Sequence, residues 1–109
     1  MATKKRTTVF IGTEIKLNVH IDPIDGFTMG DNFFSVDVFC SPKRTIHVTK
    51  DDAIRIDGDN YVIRIDTEQL GAGELKCKVI ADVVDKDFED SIRTEVYIID
   101  TNIDIVKNL

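Results

Sequence analysis

The sequence predicts an all-β fold, a single antiparallel β-sandwich, and three observations support this. Apolar residues recur at every second position in several short runs, which is the pattern of strands with one buried face. Turn signals such as Asp57-Gly58-Asp59-Asn60 separate these runs. The chain has 109 residues, 42% hydrophobic and 31% charged, which is the size and composition of one folded domain. This composition excludes a disordered chain and argues against a second domain.

Short connections join the predicted strands. The clearest alternation places Ile15, Leu17 and Val19 on one face of a half-buried strand. The segment 46–56 is either one bent strand or two short ones, and the sequence leaves both open. In the last strand Ile92, Val96 and Ile98 are expected to face one way, opposite to Tyr97 and Ile99. The predicted strands cover 9–11, 15–21, 34–40, 46–56, 61–65, 75–83 and 92–99. About seven strands without room for crossover helices predict an antiparallel sandwich.

A short helical turn gives this sandwich an immunoglobulin-like character. Thr67-Glu68-Gln69-Leu70 ends at Gly71, between the fifth and sixth predicted strands, where immunoglobulin-like sandwiches pass from one sheet to the other. Cys40 and Cys77 then fall on neighbouring strands of one sheet, so no disulfide between the sheets is expected. Two free, buried thiols fit a reducing compartment.

The two ends of the chain are predicted to lie outside the sandwich because their sequence patterns differ from it. Residues 1–8, which contain Lys4, Lys5 and Arg6, are predicted to be a flexible basic segment. The sandwich itself is predicted over 9–100. Residues 101–109 form a C-terminal extension or an extra strand, because 103–106 keep a strand-like alternation. This tail would pair either with the edge of a neighbouring subunit or with its own sheet.

Charge and hydropathy exclude several classes of partner. The net charge is −6, with 14 basic against 20 acidic residues, so the body repels phosphate backbones and nucleic-acid binding is disfavoured. No apolar run approaches the length of a membrane span, which argues against a membrane partner. The apolar run Val9-Phe10-Ile11 is too short for the core of a signal peptide, so no export signal is expected.

No motif for catalysis is present. The sequence lacks a nucleophile elbow, a phosphate-binding glycine loop and a zinc-protease motif. His20 and His47 both fall on polar faces of their strands, and a metal or acid–base pair of histidines is the less favoured interpretation. The sequence therefore predicts a protein that is not an enzyme and that carries no cofactor.

Acidic loops are predicted to meet at one end of the sandwich. In an immunoglobulin-like topology the loop at 22–32 and the turn at 85–91 share that end. Clustered carboxylates suit calcium, although aspartate is also the default residue of solvated turns. Phe27 and Phe88 offer aromatic rings for a glycan at the same end. The alternative to a structural protein is thus a small module that binds calcium or a glycan. Its candidate ligands are Asp22, Asp25, Asp31, Asp85, Asp87, Glu89 and Asp90.

An apolar sheet surface is the leading candidate for a functional site. The outward face of the third, sixth and seventh predicted strands carries aromatic and aliphatic residues among charged ones. Such a surface is typical of a protein interface with apolar anchors and a charged rim, while an error of one residue in register would change its membership. The predicted interface residues are Phe33, Phe39, Ile80, Val84, Tyr97 and Ile99.

One family resemblance rests on the second half of the chain. The segments 66–75, 81–90 and 93–96 combine an aspartate-threonine turn, a strand entry of small residues and an acidic hairpin before Arg93. With these features the chain resembles head-fibre and capsid-decoration proteins of crAss-like tailed phages over roughly residues 27–100. It is more loosely similar to the immunoglobulin-like N-terminal domains of phage baseplate proteins.

The resemblance implies a structural protein of the virion. It implies a non-enzymatic head-fibre or decoration role, with a second copy of the chain, a capsid protein or a fibre protein as partner. It also implies synthesis in the host cytoplasm and a final place in the virion. One sandwich fills the chain, so an adaptor or decoration role fits better than binding a host receptor by this chain alone.

Overall fold

The computed structural model describes residues 6–41 and 44–107, and strands account for most of them. Short 3₁₀ turns lie at Lys50–Asp52, Thr67–Gln69 and Glu89–Ser91. The strands are β1 (Thr7–Phe10), β2 (Glu14–His20), β3 (Phe34–Ser41), β4 (Arg44–Thr49), β5 (Ile54–Asp57), β6 (Asn60–Asp66), β7 (Gly73–Val84) and β8 (Ile92–Val106).

The strands form the two sheets of a sandwich. One sheet has five strands in the order β1-β8-β7-β3-β4, and the other has three in the order β2-β6-β5. Neighbouring strands run antiparallel, except that β1 runs parallel to β8. The partition of β3, β7 and β8 from β2, β5 and β6 is that of an immunoglobulin-like sandwich. The predicted fold class is confirmed.

The structure differs from the sequence prediction, or decides between its alternatives, at two places in the strands. The segment 46–56 is two strands in different sheets, because the turn Lys50–Asp52 carries the chain from β4 to β5. The last strand continues to Val106, beyond the predicted boundary at residue 100. Its register shifts between the pairs Leu75–Ile103 and Lys76–Asp100. The tail therefore extends its own sheet, through a bulge at which Asn102 has a φ of 61°.

Residues 6–8 are part of the sandwich, although the sequence predicts a flexible segment over 1–8. Strand β1 begins at Thr7, inside the predicted flexible segment 1–8, and pairs with 103–106. The Arg6 guanidinium donates to Asp104 at 2.9 Å and to Asp100 at 3.1 Å. This corrects the boundary for residues 6–8, because pairing with β8 and two carboxylates fixes them. Residues 1–5 lie outside the described residues.

The core lies between the sheets and follows the period-two pattern. Phe34, Val36 and Val38 of β3 are buried, as are Leu17 and Val19 of β2. Burying one such large apolar side chain contributes roughly 1.5–3 kcal/mol. Across the core the Phe34 ring packs edge-on against Tyr61 at 5.1 Å, and the Tyr61 hydroxyl donates to the Met29 carbonyl at 3.2 Å.

The two cysteines are free, as the sequence indicated. Strands β3 and β7 are neighbours, with Val38 opposite Cys77, so both thiols belong to one sheet. Burial raises the pKa of the Cys77 thiol to about 11, which leaves it protonated at neutral pH. Cys77 therefore acts as a small apolar core residue.

Candidate protein interaction surface

The outer face of the five-stranded sheet is the surface that points away from the three-stranded sheet. Strand β7 defines it, because its odd-numbered residues from Leu75 to Val83 are buried and its even-numbered residues are not. Ile80 and Val84 therefore lie on the outer face. The amide of Asp82 donates to the Phe33 carbonyl at 3.0 Å, which places Phe33 beside Asp82 on the same face.

The register of β8 divides the predicted interface. Val84 pairs with Ile92, Ile80 with Val96 and Lys78 with Ile98, so these three β8 residues belong to the outer face. Tyr97 and Ile99 instead lie opposite the buried Val79 and Cys77, on the inner face.

Ile92, Val96 and Ile98 share one face, as predicted, but it is the outer face, so the expected placement of Tyr97 and Ile99 on the outer face is wrong. A shift of one residue exchanges the two faces of a strand. The apolar residues of β8 occupy both faces, so periodicity in this strand carried no information about which face is buried.

The outer face carries a strip of exposed apolar side chains. Ile98 is 67% exposed, Val84 51%, Val96 50% and Phe33 47%. Asp82 and Thr94 form one polar row across the strip, and Lys76 and Lys78 lie beside it. Phe39 lies further along the face, half-buried opposite Lys76. We call the following residues the apolar strip: Phe33, Ile80, Val84, Ile92, Val96 and Ile98.

Tyr97 and Ile99 line a different feature, a groove between β2 and the part of β8 that β1 does not cover. The groove has two adjoining parts of about 400 and 460 Å³, and both are bordered by His20, Val79 and Ile99. Its floor is apolar because the buried Leu17, Val19 and Cys77 contribute to it. The three-stranded sheet therefore leaves the inner face of β8 partly open.

A small polar network stands on the inner face of β8, next to the groove. The Tyr97 hydroxyl donates to the Glu95 carboxylate, and Arg93 bonds both Glu95 and Asp85. The pKa of Glu95 is lowered, first by the Tyr97 hydrogen bond and then by Arg93. The pKa of Tyr97 is raised because its hydroxyl donates to that carboxylate. Arg93 and Glu95 thus compensate each other's charge.

The two acidic loops do meet, but their carboxylates do not converge. The amide of Val84 donates to the Gly26 carbonyl at 2.8 Å, which joins the loops. Gly26 has a φ of +87°, and a side chain there would collide with the Val84 carbonyl. Within residues 6–41 and 44–107 no group of three or more His, Cys, Asp or Glu could hold a metal ion.

Three of the acidic residues of this end, Asp22, Asp31 and Asp85, have separate partners. Asp22 contacts His20 at 2.7 Å, and the Thr28 hydroxyl donates to Asp31 at 3.1 Å. Asp85 is paired with Arg93 at 3.1 Å and accepts from the amide of Asp87 at 3.0 Å. Asp25, Glu89 and Asp90 are exposed. The predicted calcium cluster is therefore not formed by the described residues.

The histidines are placed as the sequence predicted, on exposed faces. His20 contacts the Asp59 carbonyl at 2.9 Å in addition to Asp22, and these contacts raise its pKa. His47 contacts Asp37 at 2.5 Å, on the outer face near β4. His20 belongs to β2 and His47 to β4, in different sheets. The two rings therefore cannot act as a pair.

No family model, curated protein or solved structure matches this chain. Among residues 6–41 and 44–107, no helix is long and apolar enough to cross a membrane. The similarity to phage head-fibre and decoration proteins remains a prediction from the sequence.

Proposed function

We propose that this chain is a non-enzymatic structural or adaptor protein that acts by binding other proteins through the apolar strip. The observation that carries the proposal is the exposure of the apolar strip. Its residues lie just before β3 and along β7 and β8, which are neighbouring strands of one sheet. Aliphatic and aromatic anchors beside charged residues are the composition of a protein interface.

The proposal extends to the setting of the protein. The sequence resemblance supplies a virion role, with a capsid or fibre protein as the partner of the strip. This setting has the support of the motifs at 66–75, 81–90 and 93–96 alone. We do not propose a calcium module, because no group of three or more His, Cys, Asp or Glu among residues 6–41 and 44–107 could hold a metal ion. We do not propose a glycan module, because the Phe27 ring is buried.

Photocrosslinking at a single position tests the proposed function. A photoreactive phenylalanine analogue replaces Phe33 of the apolar strip. The labelled protein is produced in the cells in which it is normally made. A matched control carries the same analogue in place of Ile56, which is 61% exposed in the three-stranded sheet. We expect a discrete adduct with a second polypeptide from position 33 and none from position 56.

The identity of the adduct decides between the two parts of the proposal. A capsid or fibre subunit would support the virion setting. A different polypeptide would keep the interaction role and reject the virion setting. Equal labelling from positions 33 and 56, or no adduct at all, would reject the strip as the working surface.

A further inference from the structure

One edge of β8 is unpaired over most of its length. On one side β8 pairs with β7 from Ile92 to Ile105. On the other side β1 pairs only with 103–106, beginning at Ile103. Among the described residues no strand lies along the remaining edge, which runs from Ile92 to Asp100. We call this stretch the free edge.

The hydrogen bonds of β7 fix which backbone groups of the free edge are available. The amides of Asp82 and Val84 donate toward the β3 side, to Phe33 and Gly26. Their β8 partners, Thr94 and Ile92, are therefore in pairs that exchange no hydrogen bonds with β7. By the alternation of an antiparallel ladder, the N–H and C=O groups of Ile92, Thr94, Val96 and Ile98 point outward along the free edge.

The side chains of the free edge favour strand addition. Natural edge strands are protected by lysine, proline, strong bulges or inward-pointing charges, and of these the free edge has only the mutually paired Arg93 and Glu95. Residues 92–99 contain no lysine or proline. The bulge at Thr101 and Asn102 lies beyond the free edge, and the two charges within residues 92–99, Arg93 and Glu95, are bonded to each other. The edge is thus long, with mainly apolar side chains on its outer face, and on its inner face the charges of Arg93 and Glu95 compensate each other.

The free edge is complementary to itself in one antiparallel register. A two-fold axis at Val96 places each residue of 92–100 opposite another residue of the same stretch. Thr94 then faces Ile98 of the second copy, and Glu95 faces Tyr97, repeating the carboxylate–hydroxyl contact that exists within the chain. Moving the axis to Glu95 would place two carboxylates opposite each other, which is unfavourable. Only the axis at Val96 covers the whole free edge.

We propose that two copies of this chain associate through the free edge of β8, antiparallel about Val96, into one continuous sheet. Association uses the outward backbone groups of Ile92, Thr94, Val96 and Ile98. It also brings the two apolar strips side by side on the joined outer face. The inference deepens the proposed function, because it names a second copy of the chain as one partner. It rests on one part of that function, namely that the chain acts through contacts with proteins.

A proline at one outward amide tests the association of the purified chain. Thr94→Pro removes an N–H that β7 does not use, and proline is tolerated at such edge positions. The matched control Thr94→Val keeps the N–H and the shape of the side chain. By light scattering at high micromolar concentration, the wild type and Thr94→Val should have twice the 12.3 kDa mass of one chain. Thr94→Pro should have the single mass, with an unchanged β-type circular dichroism spectrum.

Amide exchange and crosslinking verify the geometry. In the dimer the amides of Ile92, Thr94, Val96 and Ile98 should exchange slowly, and dilution to monomer should accelerate them by about tenfold or more. Val96→Cys should form a disulfide-linked dimer about tenfold more readily than Thr94→Cys, because position 96 alone faces itself. The wild-type chain, which has only Cys40 and Cys77, gives the background level of disulfide-linked dimer.

Three results would overturn the proposal. The first is a wild-type monomer at every concentration. The second is a dimer whose free-edge amides exchange as fast as those of the dilute monomer, since another surface would then form the contact. The third is equal crosslinking from positions 94 and 96. None of these results bears on the adduct from Phe33, so a failed dimer and a failed interaction surface remain distinguishable.

Discussion

At the scale of single residues, one buried hydroxyl holds the entry to β2 against the turn after β6. Thr67 is fully buried, and its hydroxyl donates to the Thr13 carbonyl at 2.8 Å. The same hydroxyl accepts from the Gly12 amide at 3.0 Å. Asp66 begins this turn by accepting from the Glu68 amide at 3.0 Å. The turn that the sequence predicted therefore also fixes a distant loop.

Replacing Thr67 with valine should destabilise the fold. The methyl group fills the same space but removes both hydrogen bonds of the hydroxyl, and because Gly12 is exposed and its amide can bond water instead, the loss is about 0.5–1.5 kcal/mol per hydrogen bond. Denaturant unfolding monitored by circular dichroism measures the change in the free energy of unfolding. Thr67→Ser keeps the hydroxyl and should lose less. Equal stability of Thr67→Val and the wild type would show that this hydroxyl network contributes nothing.

His20 should make the loop at 21–24 sensitive to pH. One ring nitrogen faces the Asp59 carbonyl and the other faces the Asp22 carboxylate, so the doubly protonated ring satisfies both. The Asp22 contact is the first cause of the raised pKa of His20. Its stabilising effect is complete below the unfolded value of about 6.5 and is lost as pH rises through the folded pKa.

The NMR titration of His20 measures this effect directly. Asp22→Asn should lower the pKa of His20 toward its ordinary value, whereas Asp31→Asn, which changes a carboxylate bonded to Thr28, should leave it unchanged. A His20 titration that does not respond to Asp22→Asn would contradict the assignment.

At the scale of elements, β1 depends on β8 for its place in the fold. Four residues are too few to form a stable strand alone, and β1 pairs only with 103–106. Arg6 adds contacts to Asp100 and Asp104 at the start of the strand. The pKa of Asp100 is lowered first by its hydrogen bond with Arg6 and then by the Asn102 amide.

Arg6→Gln should loosen β1 without unfolding the sandwich. The amides of 7–10 that pair with β8 should exchange faster, because the change removes the ion pairs that hold the strand end. The pKa of Asp100 should rise toward its usual value. Arg64→Gln, at an exposed position of β6, is the matched control and should change neither quantity. Unaltered exchange in Arg6→Gln would mean that backbone pairing alone anchors β1.

At the scale of the whole molecule, the charge of the protein is spread rather than concentrated in a site. A net charge of −6 is the balance of 20 acidic and 14 basic residues, and at the loop end Asp22, Asp31 and Asp85 bond to histidine, threonine, arginine and a backbone amide. These local partners explain why loops that meet in space do not create an oxygen cage. Calcium needs six to eight oxygen ligands about one centre.

Calcium should therefore leave the stability of the molecule unchanged. A ligand that binds only the folded state raises the melting temperature by mass action. A thermal scan with and without millimolar calcium should give the same midpoint, with magnesium as the control for ionic strength. A rise with calcium alone would restore the acidic end as a binding site.

The sequence predicts the architecture well because one-sided strands carry their own signal. Residues of β2 and β7 alternate between more and less buried, β3 buries Phe34, Val36 and Val38 at every second position, and each of these strands lies within a few residues of its predicted place. The site was predicted less well, since four of its six expected members share a face and Tyr97 and Ile99 do not. In β8 the apolar residues fall on both faces, so period-two reasoning had no asymmetry to use.

The amino-acid sequence by itself determined the fold class, the positions of most strands and the absence of a disulfide between the sheets. These properties depend on local periodicity and on which strands bear Cys40 and Cys77. Tertiary structure alone decided the register of β8, the split between β4 and β5, the anchoring of Arg6 and the existence of the free edge. Each of these depends on pairing between residues far apart in the chain, and such pairing leaves no periodic trace in either partner strand.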